Sequence, residues 1–380
     1  MSKSSITENY YFPLSIARGK AFCNRVSEKK TLENQIIQKR PTLLVSPRRY
    51  GKTSLVLNVA NKMKLPYAQI DFFSAVDEQD IERLILNGIT QLILNIEKTP
   101  KKAIMLAKKL FKDTHVSIST ASFNLSASFN KKSERAHYRI LDILESLETL
   151  AKKIKKTVIL FFDEFQCIND ATRNHSIESV LRQVAQETRH IAFIFSGSNR
   201  RLLNDLFDNR NKPFYKLCDK LILQRISEKA YTNHLQEAAQ EQWGKSLSTR
   251  MLDAIYDLTK CHPYYVNLLC SRIWTYNYPT TSTIQHIWQQ YKLEERSSVA
   301  AELELLSGNQ KKLLTILSRE KDISEPLGMD FVSKSGMSKA SIAQAMKFLE
   351  IRDYIYRDDK NNLRVLDPLI ESILTLTTEY

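Results

Sequence analysis

Two buried-strand patterns that each end in polar chemistry, together with a change of character near residue 300, predict an α/β chain. It should have a parallel-sheet core, then a helical region, then a small helix–turn–helix module with a two-stranded wing. The first pattern is Thr42 to Leu57, TLLVSPRRYGKTSLVL, and the second is Thr157 to Gln166, TVILFFDEFQ. The third observation is the run from Gln310 to Leu366, where helical periodicity gives way to two short strand-like segments.

Composition sets the outer bounds. The 380 residues carry a formal net charge of +14 and are 43% hydrophobic, which is enough to bury a sizeable core in two or three domains and too apolar for a disordered chain. The basic balance raises the expectation of nucleic acid without settling it. Five cysteines, Cys23, Cys167, Cys218, Cys261 and Cys270, include no C-x-x-C pair. That argues against a zinc site or a disulfide framework and suits a reducing compartment. The opening MSKSSITENYYFPL has no continuous apolar segment, and runs such as Val158 to Phe162 are too short to span a bilayer. A cytoplasmic protein with no membrane partner is expected.

Residues 1 to 40 begin with an aromatic stretch, Tyr10, Tyr11, Phe12 and Pro13, and pass through Phe22-Cys23-Asn24-Arg25 into a helix ending near Gln38. Such a segment either packs near a nucleotide base or covers a sheet edge. The apolar run Leu43, Leu44, Val45 then reads as a buried strand, stopped at Ser46-Pro47 because proline cannot continue a central strand. Gly51-Lys52-Thr53 opens a helix whose Leu55, Val56 and Val59 face a core, which is the strand, loop, helix setting of a phosphate-binding P-loop, or Walker A motif.

The physical logic is that a helix N-terminus offers unpaired N–H groups and a positive dipole end to an anion. Ser46, Pro47, Arg48, Arg49, Tyr50, Gly51, Lys52, Thr53 and Ser54 form the candidate ATP cradle. Lys52 would reach the β- and γ-phosphates, and the Thr53 hydroxyl would ligate Mg²⁺. The usual pattern starts with glycine where this chain has Ser46, a substitution that costs energy only if the loop demands a positive φ there. A bare G-K-[ST] arises by chance in roughly one chain in five of this length. The flanking elements and the second motif are therefore what give the assignment its weight.

Tyr67 to Asp71 alternates as a strand, and a helix is expected over roughly Glu78 to Asn95. Lys98 to Lys112 is basic and amphipathic, read as the solvated face of an insertion, with nucleic acid or a membrane surface as alternatives. Val116 to Phe129 alternates as a hairpin does, and a helix over about Ser133 to Ile154 follows. Val158 to Phe162 then fits a fully buried central strand, with Asp163-Glu164 at its C-terminal end, where ligands of open α/β sheets bind. This is a Walker B pattern. Asp163 would hold the Mg²⁺ shell, and Glu164 would orient and deprotonate an attacking water.

After a helix near Ile177 to Thr188, the strand Ile191 to Phe195 ends in Ser196-Gly197-Ser198-Asn199-Arg200. Ser196 is the first candidate to sense the γ-phosphate, with Ser198 and Asn199 behind it. Arg200, Arg201 and Arg210 are candidates for stabilising transition-state charge, in cis or across a subunit boundary, or are surface cations. Leu221 to Leu223 reads as a last strand, and Ser227 caps a run of helices to about Arg296. His262, in Cys261-His262-Pro263-Tyr264-Tyr265, is either a turn or core residue or lies against the nucleotide.

From about Ala300 a helix over Gln310 to Leu317, the turn Gly336-Met337-Ser338, a helix over Lys339 to Ile351 and two strands around Asp358 to Asn362 make a winged helix. If it meets DNA, Lys339, Ser341, Gln344 and Lys347 would project from the recognition helix, with Lys360 and Arg364 on the wing. The alternative is a packing module. The expected domains are 1–225, 226–297 and 298–380.

The order Phe22-Cys23-Asn24-Arg25, SPRRYGKTSL, FFDEFQ, FSGS, His262-Pro263 and Val365-Leu366-Asp367-Pro368-Leu369 resembles the archaeal-type ATPases of the STAND branch of AAA+ proteins over nearly the whole chain. The resemblance implies a P-loop core with strand order 5-1-4-3-2, a helical lid and a winged helix, with ATP as a conformational switch. It places the phosphate loop at Pro47 to Ser54, the metal and base acids at Asp163 and Glu164, and the sensor near Ser196. Cys261 stands where these proteins often have glycine.

The leading reading is thus a slow Mg²⁺-dependent ATPase switch that regulates binding to DNA or a protein partner, with an oligomer required if an arginine acts in trans. The alternatives are a DNA-binding initiator-like protein with structural nucleotide, and a scaffold. Initiator-like relatives usually carry a lid-helix arginine at the γ-phosphate, whereas the stretch from His262 has none before Arg272.

Overall fold

The computed structural model describes residues 11–97, 99–110, 114–119, 124–129, 135–172, 174–320, 322–358 and 360–376. Tyr10, Lys98, Lys112, Ser133 and Asp359, named in the expectations above, lie outside the described residues. The chain forms two compact units, one from Arg25 to Gln224 and one made of the residues up to Asn24 together with those from Arg225 onward.

In the Arg25–Gln224 unit the strands are β1 (Thr42–Val45), β2 (Tyr67–Asp71), β3 (Thr114–Ser119), β4 (Asn124–Phe129), β5 (Val158–Asp163), β6 (Ile191–Gly197) and β7 (Asp219–Ile222). β3 and β4 pair as an antiparallel hairpin, and the other five form a parallel sheet in the order β2-β5-β6-β1-β7. Counted along the chain, these core strands run 2-3-4-1-5, which is 5-1-4-3-2 from the opposite edge. The interior strands β1, β5 and β6 are buried at every residue, and the edge strands β2 and β7 alternate. Covering both faces with helices removes the need for alternation in the middle, which is why the apolar runs are continuous there.

The helices of this unit are α1 (Val26–Gln38), α2 (Lys52–Met63), α3 (Glu78–Glu97), α4 (Pro100–Leu110), α5 (Ala136–Ile154), α6 (Ile168–Ala171), α7 (Ser176–Glu187) and α8 (Arg200–Asp208). A cluster of phenylalanines fills the space beside β5 and β6: Phe162 stacks on Phe195 at 5.5 Å, and Phe165 meets Phe195 edge-on at 4.7 Å. Across α3 and α5, Glu82 accepts two bonds from Arg139, at 2.7 and 2.5 Å, with both side chains almost buried.

Register places the functional ends together. Val45 lies beside Gly197 on one side and Ile222 on the other, and Asp71 lies beside Asp163. All these residues end their strands, so the loops that follow β1, β2, β5 and β6 leave from the same edge of the sheet.

The other unit contains α9 (Glu228–Trp243), α10 (Thr249–Thr259), α11 (Pro263–Ile273), α12 (Thr281–Glu304), α13 (Gly308–Arg319), α14 (Met329–Ser335), α15 (Lys339–Ile351), the hairpin strands β8 (Ile355–Arg357) and β9 (Leu363–Val365), and α16 (Pro368–Leu376). Side-chain oxygens of Ser227, Ser248, Thr280 and Ser338 cap four of these helices. One hydrophobic cluster runs from Tyr231 and Trp288 to Leu349 and Ile355. Because α12 continues to Glu304, the boundary expected at 297–298 falls inside a helix.

The aromatic stretch before Asn24 packs on the helices of this unit. Phe12 is 1% exposed, with its ring 4.5 Å from that of Trp274, and Asn267 donates to the Pro13 carbonyl at 2.9 Å. Its rings complete an apolar core there, while the helix that follows, α1, packs on β6 and the edge strand β7, as the sheet-covering alternative expected.

Arg225 fastens the start of this unit to its end, donating to the Lys260 and Leu366 carbonyls at 2.7 Å each while its guanidinium lies 4.9 Å from the Tyr356 ring. Arg225→Ala is expected to speed amide exchange in the β8–β9 hairpin and the Lys260 turn, corresponding to about 2–3 kcal/mol of local stability. Exchange in β5 should stay as in the wild type, and hydrogen-exchange mass spectrometry checks both.

Candidate functional site

The loop after β1 is shaped by backbone more than by side chains. Its positive-φ residues are Arg49 (65°) and Gly51 (86°), so the strain that would have penalised serine at Ser46 falls elsewhere. Ser46 is buried, its hydroxyl donating to the Pro47 carbonyl at 3.1 Å. Gly51 is the N-cap of α2 and brings no side chain to it, so the first turn of that helix has no side-chain cap. Such a terminus suits an anion.

Lys52, the first residue of α2, is 6% exposed and points its ammonium back into the loop, donating to the Ser46 and Pro47 carbonyls at 3.1 and 3.2 Å. Arg25, also buried, donates to the Tyr50 carbonyl at 3.1 Å and pairs with Glu28 at 2.9 Å, bracing the loop from the start of α1. Arg48 and Arg49 are exposed, and Tyr50 and Ser54 are buried.

Asp163 joins this loop to the sheet. Its Oδ2 accepts from the Thr53 hydroxyl at 2.7 Å, and its Oδ1 accepts from the Ser196 hydroxyl and from the Glu164 N–H at 3.1 Å. A hydroxyl and a carboxylate so placed fit Mg²⁺, which keeps waters and substrate phosphates among its ligands and needs few protein groups. Among the described residues no cluster of three or more His, Cys, Asp or Glu side chains could hold a metal unaided.

Glu164 follows with a left-handed backbone, φ 46°, an uncommon setting for a non-glycine residue. The turn Phe165–Cys167 behind it is pinned by Phe165, which is fully buried among the aromatic rings. One carboxylate oxygen, Oε2, accepts from Gln166 Nε2 at 2.6 Å, the Ser198 hydroxyl at 2.7 Å and the Ser198 N–H at 3.3 Å. Burial pushes the Glu164 carboxyl up, but the bonds from Gln166 and Ser198 and the charge of Lys52 outweigh it and leave its pKa below the ordinary glutamate value. Asp71 moves the other way, raised by burial and by repulsion from Asp163 and Glu164 against the opposing bond from the Phe73 N–H.

Of the expected site residues, the phosphate loop, Asp163, Glu164 and Ser196 come together at the sheet edge. Ser198 joins them, and Asn199 is used to cap α8 through the Leu202 N–H at 3.1 Å. Arg201 is exposed, Arg200 is half-buried, and Arg210 lines a different cavity of about 510 Å³ with His175, Arg182 and Lys212. His262 belongs to the other unit, where its Nδ1 accepts from the Tyr264 N–H at 3.3 Å and its ring meets Tyr265 edge-on at 5.1 Å. Cys261 before it has a φ of 55°, a conformation that glycine takes without penalty.

Two contributors carried no role in the sequence reading, Arg25 and Gln166. Gln166 had a signal: Gly197 closes a buried strand, and glycine there marks a close approach. A Cβ on Gly197 would lie 1.9 Å from Gln166 Oε1.

On the winged module, Lys339, Gln344, Lys347 and Lys360 are exposed, and Ser341 is half-buried beside its cap Ser338. Arg364 departs from the expectation of a DNA contact. It is committed to Asp322 at 2.9 Å and Asp358 at 3.1 Å, which hold the wing together.

Comparison with known proteins agrees with this architecture. Residues 298–375 match a family model described as a probable winged helix domain. The Walker-type ATPase of Pyrococcus abyssi superposes with a TM-score of 0.69 at 14% identity, over 97% of this chain and 99% of that one. The ORC2 protein of Aeropyrum pernix, in its ADPNP-ADP complexes, gives 0.54 at 14% identity over 92% and 93%. At such identities the likeness is one of fold: a parallel α/β core of the P-loop ATPase kind with a C-terminal winged helix. No curated protein matches the sequence.

Gly197→Ala is expected to push the Gln166 carboxamide off Glu164 and cost about 1 kcal/mol, the value of one hydrogen bond. In a Gln166→Ala background the same substitution should cost measurably less, as denaturant unfolding of the four proteins would show.

Proposed function

We propose that this chain, with its P-loop ATPase fold, binds ATP with Mg²⁺ and hydrolyses it slowly, as a switch whose nucleotide state governs binding to DNA or to a protein partner. The observation that carries the reading is the bond between Thr53 and Asp163, 2.7 Å, which joins the phosphate loop to the acidic strand end with Glu164 next to it. Lys52 neutralises charge on the β- and γ-phosphates, exchanging its loop carbonyls for phosphate oxygens, and the backbone N–H groups of α2 hold the chain of phosphates. Mg²⁺, held by Thr53 and Asp163, would offset phosphate charge as the bond breaks. Glu164, ionised and oriented by Gln166 and Ser198, takes the proton from the water that attacks the γ-phosphate. Ser196 keeps Asp163 aligned and stands nearest the sensor role.

The switch needs different affinities in its two nucleotide states. The exposed Lys339, Gln344 and Lys347 on α15 favour DNA as one such ligand, and the fold likeness to ORC2 supports the second reading, an initiator-like DNA binder in which nucleotide is structural. Arg272, the first arginine after His262, pairs with Glu294 at 2.8 Å and lies 4.8 Å from the Tyr291 ring, which favours the switch. Five free thiols fit the reducing compartment of a cytoplasmic protein.

Lys52→Ala is expected to abolish both ATP binding and turnover. Glu164→Gln should retain Mg²⁺·ATP while turnover falls about 10²- to 10⁴-fold. Phosphate-release assays with and without duplex DNA, beside equilibrium ATP binding, check these outcomes; unchanged behaviour of Glu164→Gln would support the scaffold.

A further inference from the structure

Ser198 stands between an exposed arginine of the phosphate loop and the Glu164 carboxylate. Its hydroxyl, on a residue 3% exposed, accepts from Arg48 Nε at 3.1 Å and donates to Glu164 Oε2 at 2.7 Å. The direction is fixed by chemistry: a guanidinium can only donate and a carboxylate can only accept, so the one hydroxyl proton must face Glu164. With Gln166 and the Ser198 N–H also on Oε2, three donors hold that oxygen. The orientation left for Oε1 is the one with which the carboxylate can accept a proton. Gln166 is itself held by packing, 5% exposed against Gly197.

Arg48 spends its Nε on Ser198, and among the described residues no hydrogen bond or ion pair is made by its two terminal nitrogens. They lie on an exposed side chain four residues before Lys52, in the loop built for phosphates. A planar guanidinium can bond a phosphate with these nitrogens while Nε keeps its own partner, which a lysine cannot do.

We propose that Arg48 is a positioning residue that reads the terminal phosphate of a nucleoside triphosphate and, through Ser198, sets the Glu164 carboxylate for proton abstraction. The proposal rests on the ATPase reading above and deepens it. The chain from Arg48 through Ser198 to Glu164 is closed before any phosphate is bound, so a γ-phosphate on the terminal nitrogens would fix Arg48 and reinforce it, which a diphosphate would not do.

The test uses the full chain carrying Arg48→Ala, Arg48→Lys, Ser198→Ala and the Arg48→Ala/Ser198→Ala pair. Calorimetry with AMP-PNP and with ADP needs no turnover. Arg48→Ala should weaken AMP-PNP about 10-fold or more, the loss of a charge-assisted bond, and leave ADP within about 2-fold. Ser198→Ala should leave both affinities unchanged and lower kcat. In the pair, kcat should equal that of Ser198→Ala alone, and Arg48→Lys should recover AMP-PNP affinity without recovering kcat. An unchanged AMP-PNP to ADP ratio in Arg48→Ala, multiplying kcat losses in the pair, or full rescue of kcat by Arg48→Lys would each overturn the proposal. A wild-type chain that binds neither nucleotide would instead overturn the ATPase reading beneath it.

Discussion

Asp163 accepts from Thr53, from Ser196 and from the Glu164 backbone, and the geometry of the sheet edge depends on that buried carboxylate. One side chain ties the first turn of α2, the end of β5 and the end of β6. Its partners are short hydroxyls, which satisfy a buried charge without adding another. A phosphate entering at this edge would take the bonds that Lys52 now gives to loop carbonyls, and a metal ion would take the Thr53 and Asp163 oxygens that now bond each other.

Opposite charges meet at the edge. Asp71 ends β2, Asp163 ends β5 and Glu164 follows it, while Arg48 lies in the loop after β1 and Lys52 opens α2. Mutual repulsion and burial keep Asp71 raised, whereas the donors on Glu164 keep that group low. Two carboxyl groups at one edge are thus pushed in opposite directions by their surroundings.

The unit from Arg225 onward is held by a different logic. The helices after Ser227 and the winged module share one apolar cluster, α12 runs through both, and Arg225 links the Lys260 turn to Leu366. Within this unit the winged helix has no separate core of its own. Motion of the wing relative to α9–α11 would therefore have to break the cluster.

The strand–loop–helix around Gly51, the acid-ended strand β5, the hairpin and the winged helix were legible in the chain, because each is written in local periods and punctuating residues: a proline after Val45, a glycine before Lys52, acids after a continuous apolar strand. What the sequence could not show was pairing across distance. Whether serine at Ser46 is strained depended on which loop residue takes the positive φ, and folding gave that burden to Arg49 and Gly51. The aromatic residues before Asn24 had no local mark of their partner, since burial against Trp274 joins residues some 260 apart. Arg364 looked like a free wing cation until Asp322 and Asp358 came beside it. The sequence by itself determined which elements form and which strand ends carry polar residues. Only the tertiary structure decided which side chains hold Glu164, because the bonds from Ser198 exist only once β5 and β6 lie in register and Gln166 is held in place by packing against Gly197.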